Sequence, residues 1–96
     1  MAANLSYEIF AELAHQRFTV TGPRGDVVLE LERVTRLPAR RSGGDSGFTL
    51  LFLGPRAAPL PQATYDFRHP RFTGAIFIVP VERTASEDRY EAVFNP

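Results

Sequence analysis

Ninety-six residues, 44% of them apolar, make one domain around one core. Eleven basic residues balance eleven acidic ones, and the zero net charge removes the long-range attraction that nucleic acid or an anionic membrane would need. Cysteine is absent, which excludes disulfides, Cys-ligated zinc, iron–sulfur clusters and thiol catalysis. No apolar run approaches the ~18–20 residues of a membrane-spanning helix, and the start carries no signal-peptide pattern, so the expectation is a chain cytoplasmic at synthesis, with association with a particle left open.

The first predicted element is a helix over residues 5–14. Leu5, Ile9 and Leu13 recur at spacing four, with Phe10 and Ala14 beside them. Ser6 is a candidate cap, and Glu8 faces the positive end of the dipole. Two to three turns are marginal alone, so this helix must dock its Ile9/Phe10/Leu13 face on something larger.

From Arg17 the period drops to two. Phe18 and Val20 alternate with threonines over 17–21, and Gly22-Pro23-Arg24-Gly25-Asp26 is turn chemistry. Val27, Leu29 and Leu31 then alternate with Glu30 and Glu32 in a strand over 26–37, completing a hairpin. Val34 breaks the parity, and a bulge near Glu32–Arg33 would restore it. Leu37-Pro38 ends the strand, and the small, polar stretch from Ala39 to Gly47 reads as a mobile loop.

A nearly continuous apolar strand follows over 47–53. The prolines at 55, 59 and 61 make a stiff connector. Tyr65 and Phe67 mark a half-exposed strand over 63–68, stopped by His69-Pro70. A second continuously apolar strand spans 74–82. Its Pro80 cannot donate to a ladder, which puts an edge, a bulge or an unpaired side there. Thr84 to Asp88 turns the chain into a last strand over 89–95. One short helix and about six strands with short connections predict a small antiparallel β-barrel or strongly curled sheet, connected as a meander. No internal repeat is visible. Tyr65, Phe67, Phe77, Val79 and Phe94 are the expected core, and Phe77→Ala is expected to cost ~3–5 kcal/mol.

The motifs Leu37-Pro38, Phe48-Thr49-Leu50-Leu51-Phe52, Leu60-Pro61-Gln62-Ala63-Thr64-Tyr65, His69-Pro70, Phe77-Ile78-Val79-Pro80-Val81 and Tyr90-Glu91-Ala92-Val93-Phe94-Asn95 occur in that order. In this the chain resembles a family of small uncharacterised bacterial β-rich domains found near proteins of the phage-tail collar type. The family pattern has glycine before Thr-Tyr, where this chain has Ala63. The resemblance implies a β-rich fold and a tail-like or surface-display neighbourhood, and it carries no catalytic residue across.

Site chemistry is sparse. His15 and His69 lie far apart, and a metal site would need a third ligand such as Asp66 or Glu12. The simpler reading gives His15 a helix end and His69 a turn, with no metal and no cofactor. Glu30 and Glu32 share a strand face near Arg33, and Glu82, Glu87, Asp88 and Glu91 surround the last hairpin with Arg83 and Arg89. The first pair reads as a solvated face with ion pairs and the second group as ordinary cross-strand partners, not as an acid–base pair in an apolar pocket. No nucleophile elbow, phosphate loop or helix-borne histidine pair occurs, so no enzyme is expected. Arg36, Arg40 and Arg41 would clamp an acidic peptide or phosphate, or simply keep a loop soluble.

The apolar surplus is more informative. Residues 48–53 and 75–81 are apolar on both sides, and one small barrel has one interior. Leu51, Leu53, Ile76 and Ile78 are the expected outer set, to be covered by the helix or by a partner. The leading expectation is a non-enzymatic structural or interaction module that assembles with itself or with a protein partner, with Arg36, Arg40 and Arg41 as a second surface. The alternative is a small-ligand-binding β-barrel whose Tyr65, Tyr90 and His69 supply polar tips.

Overall fold

The computed structural model describes residues 7–38 and 47–95. Helix α1 (Tyr7–Glu12) precedes six strands: β1 (Arg17–Gly22), β2 (Gly25–Arg36), β3 (Phe48–Pro55), β4 (Ala63–His69), β5 (Phe72–Arg83) and β6 (Glu87–Phe94). The strands close into an antiparallel barrel in the order β1-β2-β3-β6-β5-β4, and β4 returns to β1. The barrel and the helix are as the periodicity predicted. The connectivity is not one meander, however. β1-β2-β3 and β4-β5-β6 are two successive meanders, and the connector after β3 crosses a barrel end to set β4 beside β1. The stiff, proline-rich 56–62 segment makes that crossing.

Local chemistry explains the joints. Gly22 pairs with Gly25 around a two-residue turn, and Gly25 holds φ +121, a conformation only glycine adopts without strain. The register of β2 on β3 slips between Leu31 and Arg33, so a bulge sits where the parity break required it. It turns Val34 back towards the core. A second slip, between Pro80 and Glu82, comes directly after the proline, which still stands opposite Tyr90, and leaves Val81 as the extra residue.

Inside the barrel, Phe18, Val20, Leu29, Leu31, Leu50, Phe52, Phe67, Ile76 and Ile78 are all buried. Phe52 touches both Phe18 and Phe67, with ring centroids 5.8 and 5.1 Å apart. Gly54 has no side chain because a Cβ there would collide with Leu29 and crowd the Tyr90 ring.

Both ends are plugged. At one end Phe10 of α1 inserts among Phe48, Phe72 and Phe94, at 5.9, 5.1 and 5.8 Å, residues that begin or end three different strands. Leu13 is fully buried beside it. Arg36 lies over the Tyr7 ring at 4.0 Å and pairs with Glu8, while Arg71 pairs with Glu12. The helix thus stops a barrel mouth, and it does not lie over the outer wall as expected. At the other end Leu60 of the crossing connector is buried, and its N–H donates to the Tyr90 hydroxyl at 2.9 Å.

Candidate interaction surface

The parity of β5 is the reverse of the sequence expectation. Ile76 and Ile78 point inward and are buried, while Phe77 is 50% exposed. They are therefore core residues and not part of an outer set. The run is apolar on both faces, so alternation alone gave no way to choose. Pairing decides it: Ile76 stands opposite Tyr65 and Gly74 opposite Phe67, on the same inward face. Of the other expected core residues, Phe67 is fully buried, whereas Tyr65, Val79 and Phe94 are half-buried.

Leu51 and Leu53 do face outward, and both are half-buried. Their cover is electrostatic. β3 lies between β2 and β6, and Arg89 of β6 reaches across it to Glu32 of β2, with Nε donating to Oε1 at 2.9 Å and Nη2 to Oε2 at 3.3 Å. Arg89 also binds Glu82 at 2.9 Å. Register sets Arg89 beside Leu53, so the bridge crosses the outer face of β3 at that level, while Leu51 stands between Arg33 and Glu91. The Arg89 hydrogen bonds hold the Glu32 carboxyl below the usual carboxylate range, and Glu32 in turn raises the guanidinium.

The outward face of β5 has no such lid. Thr73, Ala75, Phe77, Val79 and Val81 form a stripe without a charge. Phe77 and Val81 are half exposed, as is Val93 on β6, two residues beyond the partner of Val79. The flanking charges are Arg68, opposite Thr73, and Asp66, opposite Ala75, on one side, and Glu91, opposite Val79, on the other. Periodicity on the sequence missed this stripe only because it assigned the two faces the wrong way round.

Of the remaining candidates, Arg36, Tyr65, His69 and Tyr90 are engaged within the chain. Arg36 holds α1, as described above. Arg40 and Arg41 lie outside the described residues. His69 accepts the Arg71 N–H on Nδ1 at 3.0 Å, so Nε2 carries the proton and donates to Gln16 Oε1 at 2.6 Å. The Tyr65 hydroxyl donates to the Pro61 carbonyl at 2.6 Å, and burial raises its ionisation above the usual tyrosine value. Burial likewise raises Tyr90. Among the described residues no three His, Asp or Glu side chains converge as metal ligands would.

Asp88 is a charged residue whose position the sequence did not reveal. The expected cross-strand partnership with Arg83 is present, but Asp88 shares the inward parity of Tyr90 and Ala92 and is 4% exposed. Arg83 grips it with two hydrogen bonds, of 2.9 and 3.2 Å, and these hold its carboxyl below the ordinary range against the opposing effect of burial. An open groove of about 340 Å³ lies on the opposite flank of the outer wall, between Arg17, Val28, Glu30, Leu53 and the Ser86–Glu87 turn.

Against known proteins, a family model described as a domain of unknown function, DUF6916, matches residues 5–94. The chain belongs to this family. No curated protein and no solved structure matches it. No helix of the described residues is long and apolar enough to cross a membrane. The DUF6916 match spans α1 and all six strands, so the end plug and the barrel are one family unit.

Proposed function

We propose that this domain is a non-enzymatic interaction module, an assembly component or accessory of a phage-tail-like or surface-associated particle. The observation that carries the reading is the uncharged β5 stripe, with Phe77 half exposed on the wall of a barrel whose own hydrophobic needs are met inside. Apolar surface left outside a filled core commonly marks a contact site. His69, Tyr65, Tyr90, Arg36, Arg71, Arg83 and Arg89 are engaged in intrachain bonds that fix the plug and the hairpins. The particle neighbourhood is what the family resemblance noted for the sequence implies. Affinity capture from the native host tests the proposal. The wild-type chain is expected to retain particle proteins that Phe77→Asp loses. Identical captures by the two proteins would reject the stripe as the contact site.

A further inference from the structure

We propose that the groove on the outer wall between β2, β3 and β6 is a second docking site, and that its occupant is an extended segment of a protein partner with an arginine or lysine between apolar residues. The site lies apart from the β5 stripe and goes beyond the contact proposed there.

The groove is built in two rows. Register sets Arg17 of β1, Glu30 of β2 and Leu53 of β3 side by side. Two residues closer to the barrel end lie Val28 and Pro55, with Glu87 of β6 opposite Pro55. All six line one hollow of about 340 Å³, a volume at the lower end of ligand sites. Its floor is apolar, with Val28 48% exposed and Leu53 and Pro55 beside it. β3 runs between β2 and β6, so Glu30 and Glu87 stand on opposite sides of that floor.

Charge selects the occupant. Two carboxylates and one guanidinium line the groove, and among the described residues none of the three enters an ion pair. The neighbouring cations are committed elsewhere. Arg89 binds Glu32 and Glu82, and Arg56 donates to the Thr84 carbonyl at 3.3 Å. A segment that brings one cation to Glu30 and Glu87 leaves the groove neutral, whereas a phosphate or an acidic segment meets the surplus carboxylate.

The main chain favours an extended segment over a free cation. Leu31 donates its N–H to the Gln16 carbonyl and accepts the His15 N–H on its own carbonyl, both on the β1 side. Strand alternation then turns the N–H and C=O of Glu30 and Val28 towards β3. The β2–β3 ladder nevertheless stops at Glu30–Leu53, because continuing the register sets Val28 against Pro55, which has no N–H. The Val28 carbonyl therefore has no donor from β3. An extended peptide supplies an N–H there, together with apolar side chains for Val28 and Pro55.

The probe is a capped pentapeptide with arginine at its centre, a valine on either side and threonine at each end. It is titrated to about 2 mM into the isotope-labelled whole chain, and amide shifts are followed by NMR. Shifts are expected at Val28, Leu53 and Glu87, with a dissociation constant on the order of 0.1–1 mM. Citrulline in place of the arginine keeps the shape without the charge and should weaken binding by about tenfold or more. Glu30→Gln combined with Glu87→Gln should do the same. Backbone N-methylation of the valines should also weaken it, and Phe77→Thr should leave it unchanged. Absence of shifts in the groove at the highest concentration overturns the proposal. So does citrulline binding as well as arginine, affinity that survives the double glutamine variant, free arginine amide binding as tightly as the pentapeptide, or loss in Phe77→Thr. Host capture that depends on Phe77, with no peptide bound in the groove, would end this site and leave the β5 reading standing.

Discussion

At the scale of single residues, exposure decides the outcome of substitution. Phe77→Ala, expected from the sequence to cost a core-sized amount, removes a ring that water already half covers. Its cost should fall to about 1 kcal/mol or less, whereas Phe67→Ala, at 0% exposure, should cost ~3–5 kcal/mol. Urea melts of the two variants compare them directly, and equal losses would mean the β5 parity is misplaced. His15 is the described non-glycine residue with positive φ, at 70°, where the chain leaves α1. Its N–H donates to the Leu31 carbonyl at 2.6 Å, which fixes the first residue pair between the helix exit and β2. Glycine adopts that conformation freely, so His15→Gly should stabilise the fold by up to about 1 kcal/mol, read as a raised thermal midpoint. A helix-ending histidine was legible from the sequence. Its left-handed backbone was not, because no nearby glycine or asparagine signalled it.

At the scale of elements, the plugs matter more than their size indicates. A six-residue helix has no stability of its own, so α1 exists because Phe10 and Leu13 are buried where three strands end. Phe10→Ala should therefore destabilise the whole domain by ~3–5 kcal/mol in denaturant melts, with helix and barrel lost in one transition. A barrel that keeps its midpoint would show α1 to be dispensable. The opposite plug depends on a hydrogen bond. Tyr90→Phe leaves the buried Leu60 N–H without an acceptor and should cost ~1–3 kcal/mol, checked by the same melts. Helix and strands were readable from period, and so was the β2 bulge, from the Val34 parity break, whereas Pro80 left an edge, a bulge or an unpaired side open. The destination of the helix was not readable, since an apolar helical face fits a barrel mouth as well as a barrel wall.

At the scale of the whole molecule, the two meanders resemble each other in outline. β2 and β5 have twelve residues each, β3 and β6 have eight each, and each long strand carries one bulge. β3 pairs antiparallel with β6, and β1 with β4, so the halves exchange equivalent edges. The sequence shows no repeat because alternation constrains only which positions are apolar, not which residues fill them. Acid stability also belongs to this scale. Asp88 and Glu32 have depressed folded values, held down by Arg83 and Arg89. The stability they supply is present above the ordinary carboxylate range near pH ~4 and is lost as pH falls through their lower folded values. The thermal midpoint should therefore fall in acid. Asp88→Asn should flatten that fall while lowering the midpoint at neutral pH, and an unchanged acid limb would assign it to other carboxylates.

The sequence by itself determined the β class, the element list, the β2 bulge and the surplus of apolar surface, because period and turn residues act locally. Only the tertiary structure decided which face of β5 turns inward, what covers Leu51 and Leu53, and where the helix goes. Those outcomes depend on partners distant along the chain. A strand apolar on both sides takes its orientation from the neighbours it pairs with, and β4 settles it by placing Tyr65 and Phe67 opposite Ile76 and Gly74.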